Sequence, residues 1–91
     1  MQKSLNSPEY KRLIAMLVAV RKKSGIRQQA LAEKLGKPQS FVAKYEDNQR
    51  RIDLVEFVTI TRALDADPVG LFREFIATEP RAKPKRKTPA K

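Results

Sequence analysis

Residues 28–47, QQALAEKLGKPQSFVAKYED, leave little freedom in how they fold. Leu31, Ala32 and Leu35 recur at helical spacing, as do Phe41, Val42 and Tyr45, and Gly36-Lys37-Pro38 separates the two sets. Two helices of about two turns each, joined by roughly three or four residues that include a glycine, must cross steeply. Ala32 is small where the helices approach most closely, Gly36 stands where a left-handed backbone is needed, and Val42 faces back towards Ala32 and Leu35. These apolar residues account for one side of each helix. The polar run Lys37-Pro38-Gln39-Ser40 at the front of the second helix is left unexplained by the core.

The flanking sequence continues the helical pattern. Ser7-Pro8-Glu9 combines an N-cap, a proline at the first helical position and an acid in the first turn. Tyr10, Leu13, Ile14, Leu17 and Val20 then define an amphipathic helix that ends near Ser24, with Arg21-Lys22-Lys23 suited to the dipole and Gly25 to the stop. Asp53-Leu54-Val55-Glu56 resembles a capping box and opens a fourth helix carrying Leu54, Phe57, Val58, Thr61 and Leu64. Asp67-Pro68 repeats the cap-plus-proline signal and opens a fifth, with Val69, Leu71, Phe72, Phe75 and Ile76. No segment shows sustained strand alternation, so the expected fold class is all-α, with a helical domain over 8–78 and a flexible N-terminus over 1–7. Residues 79–91 hold three prolines and six like charges after Glu79, a composition that cannot bury a core and is expected to form a disordered basic tail.

Composition narrows the functional classes. At 41% hydrophobic the 91-residue chain can fold, as one small domain. It has no cysteine and no histidine, which removes disulfides, thiolate sites, and the commonest general base and zinc ligand. The acids stand at caps and helix surfaces, and there is no glycine-rich phosphate loop; no enzyme activity, metal or cofactor is expected. No apolar run approaches the roughly 18 residues of a membrane span, and no apolar stretch follows Lys3, so neither membrane insertion nor a secretory signal is expected. The expected location is the cytoplasm.

The net charge of +10 is segregated. Residues 1–51 carry 12 basic and 4 acidic side chains, residues 52–79 only Arg62 and Arg73 against six acids, and residues 80–91 six basic residues and no acid. A polyanion would meet the first half and the tail, while the third quarter faces elsewhere.

With these residues in register, the chain resembles the helix-turn-helix domain of the phage-repressor, Cro and XRE-type regulators over residues 10–72. The resemblance is carried by Arg21 ahead of Gly25, by Gln28, Leu31-Ala32 and Leu35-Gly36, by Gln39-Ser40-Phe41-Val42 and Tyr45-Glu46, and by Val55-Glu56, Ile60, Ala63-Leu64 and Asp67-Pro68. It implies a five-helix, lambda-repressor-like domain that binds double-stranded operator DNA, usually palindromic, as a symmetric homodimer. The recognition helix would enter the major groove while the preceding helix crosses the backbone. On this resemblance Gln28 contacts a phosphate, Gln39 and Ser40 meet base edges, and Ala43 and Lys44 are the next outward positions. Gln39 suits adenine and Lys44 can donate to guanine. Phe41 either meets a thymine methyl or sugar, or folds back onto the domain. Arg21 and Glu46 match an ion pair bridging the first and third helices, assigned to structure. Arg27 stands where a hydroxyl or amide cap is usual. Pro38 stands just before Gln39, where a hydroxyl cap is common; it is read either as the residue before the helix or as its first.

Arg27, Lys37, Asn48, Arg50 and Arg51 flank the two helices and are expected phosphate contacts, which position a protein without reading sequence. Leu71, Phe72, Phe75 and Ile76 exceed what a short last helix needs for its own core; they either form a homodimer interface or all pack within one domain. Three function classes follow. The first is a sequence-specific transcriptional regulator, expected to repress. The second is an antitoxin-type module that binds a partner protein and autoregulates through DNA. The third is an RNA-associated or nucleoid-type binder acting by charge alone.

Overall fold

The computed structural model describes residues 7–77, so the expected tail over 79–91 and all but the last residue of the N-terminal segment lie outside the described residues. Five helices follow in order: α1 (Pro8–Lys23), α2 (Gln28–Leu35), α3 (Gln39–Glu46), α4 (Leu54–Ala63) and α5 (Pro68–Ala77). Among the described residues there is no strand. The all-α, five-helix expectation holds, with α1 one residue shorter than expected.

Each boundary has a local cause. Ser7 Oγ accepts from the Tyr10 amide at 3.0 Å, and Pro8 follows at the first helical position. The Asp53 carboxylate accepts from the Glu56 amide at 2.7 Å while Glu56 Oε1 accepts from the Asp53 amide at 2.9 Å, a complete capping box. α2 and α3 start from Arg27 and Pro38, neither of which supplies a side-chain cap. Pro38 is therefore the extended residue before the helix, not its first residue, and its carbonyl accepts from the Phe41 amide at 2.9 Å.

The C-terminal ends of the first four helices close by one device. A residue with positive φ turns the chain, and the amide after it returns to a carbonyl in the last turn. Gly25 (φ 74°) and Gly36 (φ 69°) do this after α1 and α2, and Asn48 (φ 60°) and Asp65 (φ 59°) after α3 and α4. The returning bonds are Ile26 to Arg21, Lys37 to Ala32, Gln49 to Lys44 and Ala66 to Thr61, at 2.8–3.2 Å. A Cβ at Gly36 would meet nothing within 4 Å, so the backbone angle, not space, calls for glycine there.

The core is built from Ile14 and Leu17 of α1, Leu31 and Ala32 of α2, Phe41, Val42 and Tyr45 of α3, and Phe57, Ile60 and the following Leu64 of α4. α2 and α3 pack most intimately on each other, with α1 behind α3 and α4 behind α2. α5 contributes no fully buried residue. It is held by Leu71 packing on the core, and by Arg12, which donates to the Phe75 carbonyl at 2.8 Å and stacks on the Phe75 ring.

Candidate nucleic-acid interface

With Val42 and Tyr45 fully buried, the 3.6-residue period of α3 decides which side chains face out. Gln39, Ser40 and Lys44 are exposed and Ala43 is half-buried. These four of the expected base-reading positions therefore lie on one outward face. Phe41 does not join them. It is only 9% exposed, meets Tyr45 edge-to-face at 5.6 Å between centroids, and carries cations over its ring, Lys37 at 5.4 Å and Arg50 at 4.6 Å. Of the alternatives for Phe41, the structure has it folded back onto the domain: a side chain on the edge of the apolar stripe gains more from burial than from solvent.

The helix is aimed by a polar chain that runs from the interior to its first residue. Arg21, itself buried, donates through Nε to Glu46 Oε2 at 2.6 Å and through Nη2 to Oε1 at 3.1 Å, and its Nη1 donates to the Ile26 carbonyl at 2.9 Å. The bidentate geometry and near-complete burial make this the strong form of an ion pair, in which loss of either partner leaves an unpaired charge. Glu46 Oε1 also accepts from Gln28 Nε2 at 2.8 Å, and Gln28 Oε1 accepts from Gln39 Nε2 at 3.4 Å. The structure thus brings together Arg21, Glu46, Gln28 and Gln39, tying α1, α3 and the start of α2 to the leading edge of the outward face. One amide proton of Gln28 is engaged by Glu46, leaving its second N–H for a ligand.

The residues expected to hold phosphates divide into two groups. Arg27, Lys37 and Arg51 are exposed around the α2–α3 unit. Asn48 and Arg50 are tied into the α3–α4 connection, Arg50 with its side chain still 41% exposed. Asn48 takes the left-handed position that ends α3, its side-chain oxygen shielded from solvent. Arg50 forms a bidentate pair with Glu56, Nη1 to Oε1 at 3.2 Å and Nη2 to Oε2 at 3.1 Å, and donates to the Arg51 carbonyl at 2.6 Å. The hydrogen bond from Arg50 holds the Glu56 carboxyl below its ordinary range. Tyr10 anchors the same connection from α1. Its hydroxyl accepts from the Ile52 amide at 3.0 Å and donates to the Arg50 carbonyl at 3.4 Å, and burial pushes its pKa up. Sequence reading assigned Glu56 to the cap alone and Tyr10 to the apolar stripe; their second roles depend on a loop that spacing cannot place.

On the far side, α5 has two apolar stripes. Leu71 packs on the core and Phe75 is half-buried beneath Arg12, while Val69, Phe72 and Ile76 are 62%, 47% and 51% exposed. The four expected interface residues therefore split between the two stripes. Beside them a groove of about 200 Å³ is lined by Leu13, Ile52, Leu54, Phe57, Phe72 and Phe75, with Asp53 as its one charged residue. Leu54 and Val55, at 67% and 72% exposed, extend this apolar surface onto α4. Leu54 shares the helical period of Phe57 and Val58 yet lies outside the core.

A family profile described as helix-turn-helix matches residues 17–71. An XRE-family like protein from Pseudomonas syringae pv. tomato str. DC3000 is 40% identical, superposes with a TM-score of 0.76, and aligns over 77% of this chain and 85% of its own. The restriction-modification controller protein C.Esp1396I, in the crystal structure of its tetramer with its natural 35 base-pair operator, is 21% identical with a TM-score of 0.71 over 79% and 95% of the two chains. The clp gene regulator ClgR from C. glutamicum is 18% identical with a TM-score of 0.69 over 80% and 95%. At those identities the last two establish the fold. No curated protein sequence matches the chain. Two short helices packed on each other across a glycine turn, with a polar face turned outward, define a helix-turn-helix protein. This chain belongs to the XRE-type helix-turn-helix family of transcriptional regulators.

Proposed function

We propose that the protein is a sequence-specific regulator, a repressor, that binds palindromic double-stranded DNA as a homodimer with α3 in the major groove. The observation that carries this reading is the outward face of α3. Gln39, Ser40, Ala43 and Lys44 have no core to serve, yet Gln39 is held through Gln28 by the buried Arg21–Glu46 pair. Orienting an exposed amide from the interior is useful only if that amide must meet something in a fixed direction. Gln39 and Ser40 read base edges, Lys44 donates to a guanine, and Arg27, Lys37, Arg51 and the second amide proton of Gln28 take phosphates. The six basic residues of 80–91 add sequence-independent phosphate affinity. The protein acts in the cytoplasm, on the nucleoid when bound, and performs no catalysis.

The exposed stripe of α5, with Leu54 and Val55, forms the two-fold contact. The acidic charge of residues 52–79 keeps this side turned from DNA. Enrichment of bound sites from random duplex tests the proposal. A palindromic motif with half-sites about 34 Å apart is expected; no enrichment over the starting pool ends the reading. The same apolar surface supports a second reading, in which another small protein covers it as a toxin covers its antitoxin. A stoichiometric partner at purification, with the isolated chain monomeric, decides for that alternative.

A further inference from the structure

Arg50 enters the α3–α4 connection with its charge already answered. A bidentate guanidinium fork takes a carboxylate or a phosphate through the same pair of N–H groups, and Glu56 occupies it, at 3.1 and 3.2 Å. Glu56 is not free to leave, because its Oε1 also accepts the Asp53 amide that completes the α4 capping box. The central guanidinium carbon of Arg50 lies over the Phe41 ring, 4.6 Å from its centre, and Nη1 donates to the Arg51 carbonyl. Phe41 follows directly on Gln39 and Ser40, so whatever fixes its ring fixes the leading turn of α3. Leu54 and Phe57, which line the apolar groove, stand on the helix whose start Glu56 caps.

Resting on the DNA-binding reading above, we infer that Arg50 is a positioning residue. With Glu56 it clamps Phe41 and sets the angle of the recognition helix against α4, and it does not hold a DNA phosphate. The assignment has a chemical signature. A phosphate contact needs a positive charge, which lysine supplies; the clamp needs a planar fork that stacks, which lysine lacks.

The test uses the full chain, a duplex carrying the enriched site, and a scrambled duplex of the same composition. Affinities are measured from 50 to 200 mM salt, at a temperature where circular dichroism shows every variant folded. Arg50→Lys is expected to reduce discrimination between the duplexes about tenfold, the size of one lost base contact. Arg50→Gln should reduce it similarly while leaving the slope of log affinity against log salt unchanged. Glu56→Gln and Phe41→Leu, which keep every cation, should reproduce the loss. The inference is overturned if Arg50→Lys behaves as wild type while Arg50→Gln lowers the slope by about 0.9, the mark of one phosphate contact. Tighter binding by Glu56→Gln overturns it too, since Glu56 would then be competing with DNA for Arg50. Unchanged discrimination in all four variants overturns it as a purely structural cluster. Absence of discrimination in the wild type overturns the DNA-binding reading as well, and is told apart because it appears before any substitution.

Discussion

The two ends of this small domain solve opposite problems. Around α2 and α3 the large apolar side chains pack into the core, and the polar face left over is braced from within by Arg21, Glu46 and Gln28. Around α5 the reverse holds: no residue of the helix is fully buried, and Val69, Phe72 and Ile76 face outward. A helix apolar on two sides needs two surfaces to cover it, and the described residues provide only the first. The α2–α3 end is therefore complete in the monomer, whereas the proposed homodimer would complete the α5 end.

Four measurements can break or sharpen this contrast. The largest effect belongs to the α2–α3 end. Glu46→Ala strands the buried Arg21 and should cost about 3 kcal/mol in chemical denaturation, with a lower melting temperature; an unchanged midpoint would show that the brace is dispensable. Next, at the other end, Phe72→Lys should leave monomer stability nearly intact but weaken self-association by about 2 kcal/mol, the scale of an interface anchor. Sedimentation across a dilution series reads it, and an unchanged dimer would move the contact elsewhere. A smaller cost, about 1 kcal/mol, is expected for Gly36→Ala, from placing a Cβ at φ 69° with no clash to add to it; a cost several times greater would mean that the α2–α3 turn is more tightly packed than its open surroundings indicate.

The smallest effect is set by pH. The folded Glu56 carboxyl lies below its ordinary 4.5, so its contribution is fully present above that value and lost as pH falls through the lower, folded one. Wild type should therefore lose stability on acidification slightly more steeply than Glu56→Gln. Parallel acid curves would remove Glu56 from the account.

The parts of the fold legible in sequence were those with short-range causes. Ser7-Pro8, the Asp53–Glu56 box, Gly25 and Gly36 each act within a few residues of themselves, and the boundaries fell where they pointed. The outward face of α3 was also legible, because Val42 and Tyr45 fix the helix's rotation. What escaped depended on contacts distant in sequence or on backbone detail. Spacing puts Phe41 at the edge of the stripe, but it is the neighbouring Arg50 and Lys37 that cover its ring. Asn48 reads as a polar loop residue until its positive φ shows that it is the counterpart of a glycine stop. Leu54 has a core residue's periodicity and a surface residue's exposure, on the rim of the groove it shares with Leu13 and Phe72.

The unfinished α5 also bears on dosage. If recognition needs two copies and each copy's last helix is covered only by the other, the active species grows as the square of chain concentration while the dimer is scarce. Binding-site occupancy then responds to expression level more steeply than one-to-one binding allows. In the proposed homodimer, the abundance of the chain would itself be the signal that Val69, Phe72 and Ile76 detect.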